Sequence, residues 1–184
     1  MADRPLVPDY AGPCLTNLVP SVLGPGRTSD LPDWFPDPVR DARQVVLFVL
    51  DGLGWDQLAA RADRAPTMTA MAGGPIDAVA PTTTATSLTS IATWLTPGEH
   101  GVVGYRIAMY GEVLNVLRWS TGGSDARRRL VPNEVQPRRP FLGSAVPRNG
   151  RRGWTSLGTR RRRASPPPVL QRSTFRTSPY MAMR

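Results

Sequence analysis

The feature that most restricts the fold of this chain is an unbroken run of six apolar residues, Val45 to Leu50, which stops abruptly at Asp51 and Gly52. The run is rich in β-branched residues and does not alternate between apolar and polar positions. Such strands are typical of parallel sheets that are covered on both faces. We therefore predict a buried central strand at residues 45–50, with Asp51 at its carboxyl end.

Helical and strand-like segments alternate along the first 125 residues. Prolines interrupt residues 1–43 and leave room for only a short helix near residues 15–23. The apolar spacing predicts helices at 55–62, after Pro66 and from about 84 to before Pro97, and strands at 76–80, 105–110 and 113–119. This order of elements indicates an α/β fold.

The charge of the chain changes sign near residue 125. Residues 1–125 hold 8 Arg and 13 Asp or Glu, a net charge of −5, whereas residues 126–184 hold 15 Arg and one acid, Glu134, a net charge of +14. The second part shows neither helical nor strand periodicity. We therefore divide the chain into a catalytic-domain part, residues 1–125, and an Arg- and Pro-rich tail, residues 126–184, that is disordered or frame-shifted.

Three explanations for the tail stay open. Its arginines can bind nucleic acid nonspecifically through phosphate contacts, or the tail can be a disordered extension without a role. The third explanation is a frame-shifted or prematurely ended gene, because acids almost vanish while Arg, Pro, Ser and Gly increase. This third explanation is the most economical, and it places the change of frame between about Asp125 and Val146.

The sequence excludes several classes of protein. Its single cysteine, Cys14, forbids an internal disulfide, and no Cys/His cluster has the spacing of a zinc finger. No apolar stretch approaches the ~20 residues of a membrane span, and the first residues lack the apolar part of a signal peptide. We expect a soluble, cytoplasmic protein with no membrane span.

Asp51 is the first candidate functional residue. A carboxylate at the carboxyl end of a buried parallel strand lies where open α/β sheets bind their ligands, and its oxygens suit a divalent metal. An aspartate in this position can equally cap the helix that follows. The residues alone leave both interpretations open.

The second candidate is the hydroxyl-rich segment Pro81-Thr82-Thr83-Thr84, which precedes a predicted helix. A hydroxyl at a helix N-terminus lies near free N–H groups and the positive end of the helix dipole, which favour a phosphate and a nucleophilic oxygen. A purely structural N-cap is the alternative, and for an isolated run of threonines it is the better interpretation.

Three motifs, taken in order and spacing, resemble the type I phosphodiesterase/nucleotide pyrophosphatase family of the alkaline phosphatase superfamily. They are the strand followed by Asp51-Gly52, the Pro81-x-x-Thr84 step before a helix, and Leu95-Thr96-Pro97-Gly98-Glu99-His100-Gly101. The resemblance covers about residues 5–119 and is strongest at 45–51 and 81–104. It implies a partial alkaline-phosphatase-like sandwich, an α/β fold with a central, mostly parallel sheet and flanking helices.

The resemblance assigns chemistry to two residues. It implies that Asp51 binds one of two zinc ions, and that Thr84 is the nucleophile and also contacts the metal. In the family mechanism the threonine attacks a phosphoryl group, and the resulting phospho-threonine is then hydrolysed. The implied substrates are small phosphate esters or nucleotides. The family usually has Gly at the position of Trp94, and its histidine at the position of His100 is usually structural.

The other ligands of a two-zinc site are missing from the later part of the sequence. After Thr84 the chain offers only Glu99, His100, Glu112, Asp125 and Glu134. We therefore expect a truncated, metal-dependent hydrolase of phosphodiester or nucleotide pyrophosphate bonds with low or no activity. The alternatives are an inactive fragment whose Arg-rich tail binds polyanions, and a member of the phosphoglycerate mutase and phosphopentomutase branch, which uses a Ser nucleophile.

Overall fold

A computed structural model describes residues 6–23, 31–40, 42 and 44–141. Within them the chain is a mixture of short helices and strands. The helices, in chain order, are α1 (Leu15–Leu23), α2 (Asp37–Arg40), α3 (Trp55–Ala59), α4 (Pro66–Thr69), α5 (Thr84–Thr93), α6 (Pro97–His100) and α7 (Pro132–Val135), with a 3-10 turn at Ala62–Arg64. The strands are β1 (Arg106–Met109), β2 (Glu112–Asn115), β3 (Ser120–Thr121) and β4 (Ser124–Asp125).

The main core forms where α1 packs against α5. Helix α1 buries one apolar face, and the segment around Val79, which is fully buried, packs beside it. Two backbone hydrogen bonds tie this segment to the start of α1, from Leu15 N–H to the Asp77 carbonyl at 3.0 Å and from Asp77 N–H to the Pro13 carbonyl at 2.7 Å. The core therefore holds the chain immediately before the Pro81–Thr84 segment in place.

Two predicted strands do not form in the described part of the chain. Residues 44–50 have no helix or strand assignment, and residues 76–80 make only one parallel bridge, between Cys14 and Asp77. A strand needs a hydrogen-bonded neighbour as well as a suitable sequence, and no described strand lies beside residues 44–50. The prediction of a buried central strand was therefore wrong for the described chain: Val46 is 63% exposed and Phe48 is 67% exposed.

The sheet that does form is antiparallel. Its four strands follow chain order, β1-β2-β3-β4, and Ile107 pairs with Leu114, which pairs with Thr121. Local hairpins are the simplest way to pair neighbouring strands, so the predicted strands at 105–110 and 113–119 are found in shorter form. The mostly parallel sheet of the expected sandwich is not seen among the described residues.

Residues 126–141, which belong to the expected tail, pack on the main core and on a second, smaller core that lies against the sheet. Ala126 and Leu130 are buried beneath the sheet with Leu114. Phe141 stacks on Trp94 with ring centroids 6.1 Å apart, and its N–H donates to the Ala92 carbonyl at 2.8 Å. This segment therefore contacts the C-terminal end of α5. The rest of the expected tail, residues 142–184, lies outside the described residues.

Trp94 adopts the conformation that explains why glycine is usual at this position in the family that the sequence resembles. It follows the last residue of α5 with φ 65° and ψ 20°, in the left-handed region. This conformation costs about 1–2 kcal/mol for a residue with a side chain. The indole packs against the main core and stacks on Phe141, while its Nε1 is buried without a hydrogen-bond partner among the described residues.

The turn between β1 and β2 gives a direct test of backbone strain. Its two residues, Tyr110 and Gly111, have φ values of 48° and 81°, as a type I′ turn requires, and the Tyr110 side chain is 86% exposed. We expect Tyr110→Asn to raise the free energy of unfolding by about 0.5–1 kcal/mol, because asparagine tolerates this conformation and no buried contact is lost. Urea denaturation measures the change, and an unchanged or lower value would contradict this account of the turn.

Candidate active site

Helix α5 begins at Thr84, the last residue of the hydroxyl-rich segment. Thr83 is the N-cap, with extended backbone angles, and its side-chain oxygen accepts a hydrogen bond from Thr86 N–H at 3.4 Å. The N–H groups of the first turn of a helix have no carbonyl partner inside the helix, so they attract an anion. The start of α5 is therefore able to bind a phosphoryl group.

The three consecutive threonines have three different roles. Thr82 donates its hydroxyl to the Val79 carbonyl at 2.9 Å, and Thr83 caps the helix. Thr84 alone of the three contacts Asp51: its hydroxyl donates to one carboxylate oxygen, Oδ2, at 3.1 Å, and lies 3.4 Å from the other. The structure thus distinguishes Thr84 from its neighbours in a way that the repetitive sequence does not.

Asp51 and Thr84 lie together although 33 residues separate them in the chain. Gly52, at φ 86°, turns the chain directly after Asp51, and this positive φ suits glycine. The Asp51 side chain does not cap α3, since the residue preceding that helix is Gly54 and no side-chain cap is present there. The Asp51 carboxylate therefore accepts a hydrogen bond from Thr84 instead of capping α3.

The two residues lie in a shallow pocket with mainly apolar walls. Leu53, Leu88 and Ile91 form part of these walls, and Val49, two residues before Asp51, also lines the pocket. Asp51 is exposed, and Leu88 is 43% exposed at the rim. A substrate phosphate at Thr84 would thus be open to solvent on one side and bordered by apolar side chains on the other.

Ser87 is a pocket residue that the sequence analysis did not single out. It lies three residues after Thr84 and lines the same pocket. Thr89 and Thr93 on the same helix donate to carbonyls four residues earlier, at 2.7 Å each, whereas no described residue accepts a hydrogen bond from the Ser87 hydroxyl. The spacing of three residues, which places side chains on one helix face, is the signal that could have identified it.

His100 lies away from the pocket and joins α6 to α5. Its Nδ1 accepts a hydrogen bond from Val102 N–H at 3.0 Å, so the ring proton is on Nε2, which donates to the Ser90 hydroxyl at 2.9 Å. The residue is 4% exposed, and burial holds the pKa of His100 below its usual value of 6.5. Both ring nitrogens are thus used inside the protein, as the structural interpretation of this residue requires.

Glu99 fixes the short helix that carries His100. Its carboxylate accepts hydrogen bonds from the Thr96 N–H at 2.8 Å and from the Thr96 hydroxyl at 2.7 Å. These two bonds hold the pKa of Glu99 below its usual value of 4.5. The carboxylate therefore serves as a helix cap.

A zinc site is not completed by the described residues. Catalytic zinc normally has three protein ligands, and no group of three or more His, Cys, Asp or Glu that could hold a metal occurs in the described ranges. Asp51 and Thr84 offer one carboxylate and one hydroxyl oxygen, which alone do not fit a catalytic zinc ion.

Two of the five tail arginines that the structure describes are engaged in ion pairs. Arg127 pairs with Asp125, and Arg129 donates to Glu112 at 2.8 Å and to the Thr121 hydroxyl at 2.7 Å. No described carboxylate lies within ion-pair distance of the other three, Arg128, Arg138 and Arg139. This pattern does not single out a surface for nucleic acid.

Comparisons with known proteins support the resemblance seen in the sequence. The family model described as type I phosphodiesterase / nucleotide pyrophosphatase matches residues 45–159, which is more than half of the chain. The match includes Asp51, Thr84 and His100, and it continues beyond residue 125. Neither a curated protein nor a solved structure gave a significant match. Among the described residues, no helix is both long enough and apolar enough to cross a bilayer.

Proposed function

Because the chain belongs to the type I phosphodiesterase / nucleotide pyrophosphatase family, we propose that it carries the nucleophile of a hydrolase acting on phosphodiester or nucleotide pyrophosphate bonds. The observation that carries this proposal is the hydrogen bond from the Thr84 hydroxyl to Asp51 Oδ2, 3.1 Å long, at the start of α5. This contact places a nucleophilic hydroxyl and a proton acceptor side by side, at the N-terminus of a helix and in one pocket.

Each of these groups has a definite role in the proposed reaction. The Thr84 oxygen attacks the phosphorus atom, the bond to the leaving oxygen breaks, and the Thr84 proton passes to the Asp51 carboxylate. The intermediate is a phosphoryl ester of Thr84, and water then cleaves it to regenerate the hydroxyl. The N–H groups at the start of α5 and the Ser87 hydroxyl donate to the non-bridging phosphoryl oxygens.

The family is usually metal-dependent, and zinc is the metal that we propose for this chain. Asp51 and Thr84 would supply two of its ligands, and the described residues offer no third carboxylate, histidine or cysteine beside them. A divalent ion would supply positive charge at the transferred phosphoryl group. Because the described residues do not complete such a site, we propose that turnover by this chain alone is slow or absent, while attack by Thr84 still yields the covalent intermediate.

Covalent trapping tests this proposal independently of turnover. The protein is incubated with bis(4-nitrophenyl) phosphate, with and without Zn²⁺, and acid-quenched samples are analysed by peptide mass spectrometry. We expect a 4-nitrophenyl phosphoryl group on Thr84 and release of one nitrophenolate per modified chain. Absence of the modification under both conditions, or modification at Thr82 or Thr83 instead, would refute the assignment of the nucleophile.

A further inference from the structure

A loop near the start of the chain contacts the segment that leads into the nucleophile. The Tyr10 hydroxyl accepts a hydrogen bond from Ala80 N–H at 3.1 Å, although 70 residues separate the two in the chain. Ala80 is exposed and lies four residues before Thr84. The Tyr10 side chain packs against the main core. Tyr10 therefore ties an exposed part of the chain, just before Thr84, to the core of the protein.

Tyr10 is itself held by the loop that contains it. Gly12 N–H donates to the Asp9 carbonyl at 3.1 Å and closes the loop. The Asn17 side chain on α1 donates to the carbonyls of Tyr10 and Gly12, at 2.9 and 2.8 Å. The backbone from which the Tyr10 ring projects is therefore fixed to α1, and the hydroxyl has a defined position.

The same loop holds a second point of the segment before Thr84. Asp9 N–H donates to Asp77 Oδ2 at 2.8 Å. Beyond Ala80 the bonds are short-range, such as the one from Thr83 N–H to the Pro81 carbonyl at 3.0 Å. Thr84 is thus held from two sides, by α5, which packs against α1, and by the segment that the loop fixes at Asp77 and Ala80.

The contact between Thr84 and Asp51 is sensitive to this placement. Its two oxygens are 3.1 Å apart, slightly more than the roughly 2.5–3.0 Å of a usual O–H···O bond. A displacement of about 1 Å at a reacting group can lower a rate by about 100-fold. Because 33 residues separate the two side chains, their distance is set by the contacts that hold each segment.

We propose that Tyr10 is a positioning residue for the Thr84 nucleophile. Its hydroxyl holds Ala80, and through Ala80 the start of α5, at the place where Asp51 accepts the Thr84 proton. The inference rests on the proposed function, because it concerns the same hydroxyl. Tyr10 does not line the pocket, and it lies before residues 45–159, which the family model matches. Its effect on the reaction is therefore exerted through the backbone of Ala80.

Tyr10→Phe tests the proposal, because it keeps the ring and removes only the hydroxyl. We expect the maximal rate at which bis(4-nitrophenyl) phosphate labels Thr84 to fall by about 10-fold. The probe concentration that gives half-maximal labelling should not change, since Tyr10 does not line the pocket. Urea denaturation shows that each variant is folded under the labelling conditions, so that a loss of stability is not mistaken for a loss of rate.

The matched control is Tyr105→Phe. It removes a phenolic hydroxyl that accepts a hydrogen bond from Asn115 Nδ2 on the hairpin, at 2.7 Å, and it should leave the labelling rate unchanged. An unchanged maximal rate in Tyr10→Phe, or an equal loss in Tyr105→Phe, would overturn the proposal.

Amide hydrogen exchange, followed by NMR, distinguishes failure of this proposal from failure of the proposed function, because it needs no reaction. We expect the Ala80 amide to exchange about 10-fold faster in Tyr10→Phe, while the Leu114 amide in the hairpin is unchanged. Equal exchange of Ala80 in both proteins would overturn the proposal even if Thr84 is labelled. A wild-type chain that takes no label refutes the proposed function, whereas the Ala80 amide still decides whether Tyr10 holds this segment.

Asn17→Asp is a second variant that acts through the same loop. It has the same shape but replaces the donating amide by an acceptor that faces two carbonyls. An acid in the first turn suits α1, so the helix should persist. We expect the Ala80 amide to exchange faster and the labelling rate to fall. With Tyr10→Phe already present, Asn17→Asp should add little, and two losses that multiply fully would contradict a common route through Tyr10.

Discussion

Replacing Thr84 by alanine is expected to abolish covalent labelling by bis(4-nitrophenyl) phosphate and to lower any phosphodiester hydrolysis by about 1,000-fold or more, as loss of a nucleophile does in other enzymes. The reason is geometric: of the three adjacent threonines, only Thr84 contacts Asp51. Thr84→Ser keeps a hydroxyl at the same place and should retain labelling. Quantitative mass spectrometry of the modified peptide measures the effect.

Two further substitutions on α5 show whether the loss of labelling is specific to Thr84. Ser87→Ala removes a hydroxyl that lines the pocket, and it should reduce labelling by about 10-fold or more, the cost of one hydrogen bond to a charged phosphoryl oxygen. Thr89→Ala removes a hydroxyl that bonds to the Ala85 carbonyl outside the pocket, and labelling should be unchanged. If Thr89→Ala is as damaging as Thr84→Ala, the effect lies in the stability of α5, and the nucleophile is misassigned.

Replacing His100 by alanine is expected to have the largest effect on stability, a decrease of about 3 kcal/mol in the free energy of unfolding. The substitution opens a cavity and leaves two buried groups, the Ser90 hydroxyl and the Val102 N–H, without their partner. Urea denaturation measures the loss. In the Ser90→Ala background the same substitution should cost less, because one of these two groups is already absent.

The pH dependence of stability follows from the same residue. Since the folded-state pKa of His100 is lowered by burial, the unfolded chain binds the proton first. The stabilisation is fully present above the usual histidine pKa of 6.5 and is lost as the pH falls from there through the lower folded-state pKa. The stabilisation that comes from the lowered pKa of Glu99 is lost only as the pH falls below the usual value of 4.5. His100→Ala should therefore remove the pH dependence just below 6.5, and a wild-type chain without it would contradict a buried neutral imidazole.

The local elements were largely predictable because their signals are local. The apolar spacing and the prolines indicated α1, α5 and the short helix after Pro66. The predicted strands at 105–110 and 113–119 indicated the first hairpin, in which the pairing partner is the next segment of the chain. Such elements depend on residues within a few positions of each other, so one sequence is enough to place them approximately.

The sequence by itself determined the two candidate residues, Asp51 and Thr84, through their types, their spacing and the family resemblance. Only the tertiary structure decided that the Thr84 hydroxyl lies 3.1 Å from Asp51 Oδ2, whereas the side chains of Thr82 and Thr83 form hydrogen bonds with backbone groups. It also decided that Val45–Leu50 has no strand assignment and no backbone hydrogen bond to another described residue. The physical reason is that a strand is completed by hydrogen bonds to a distant partner, and the apolar pattern of a single segment does not specify where that partner is.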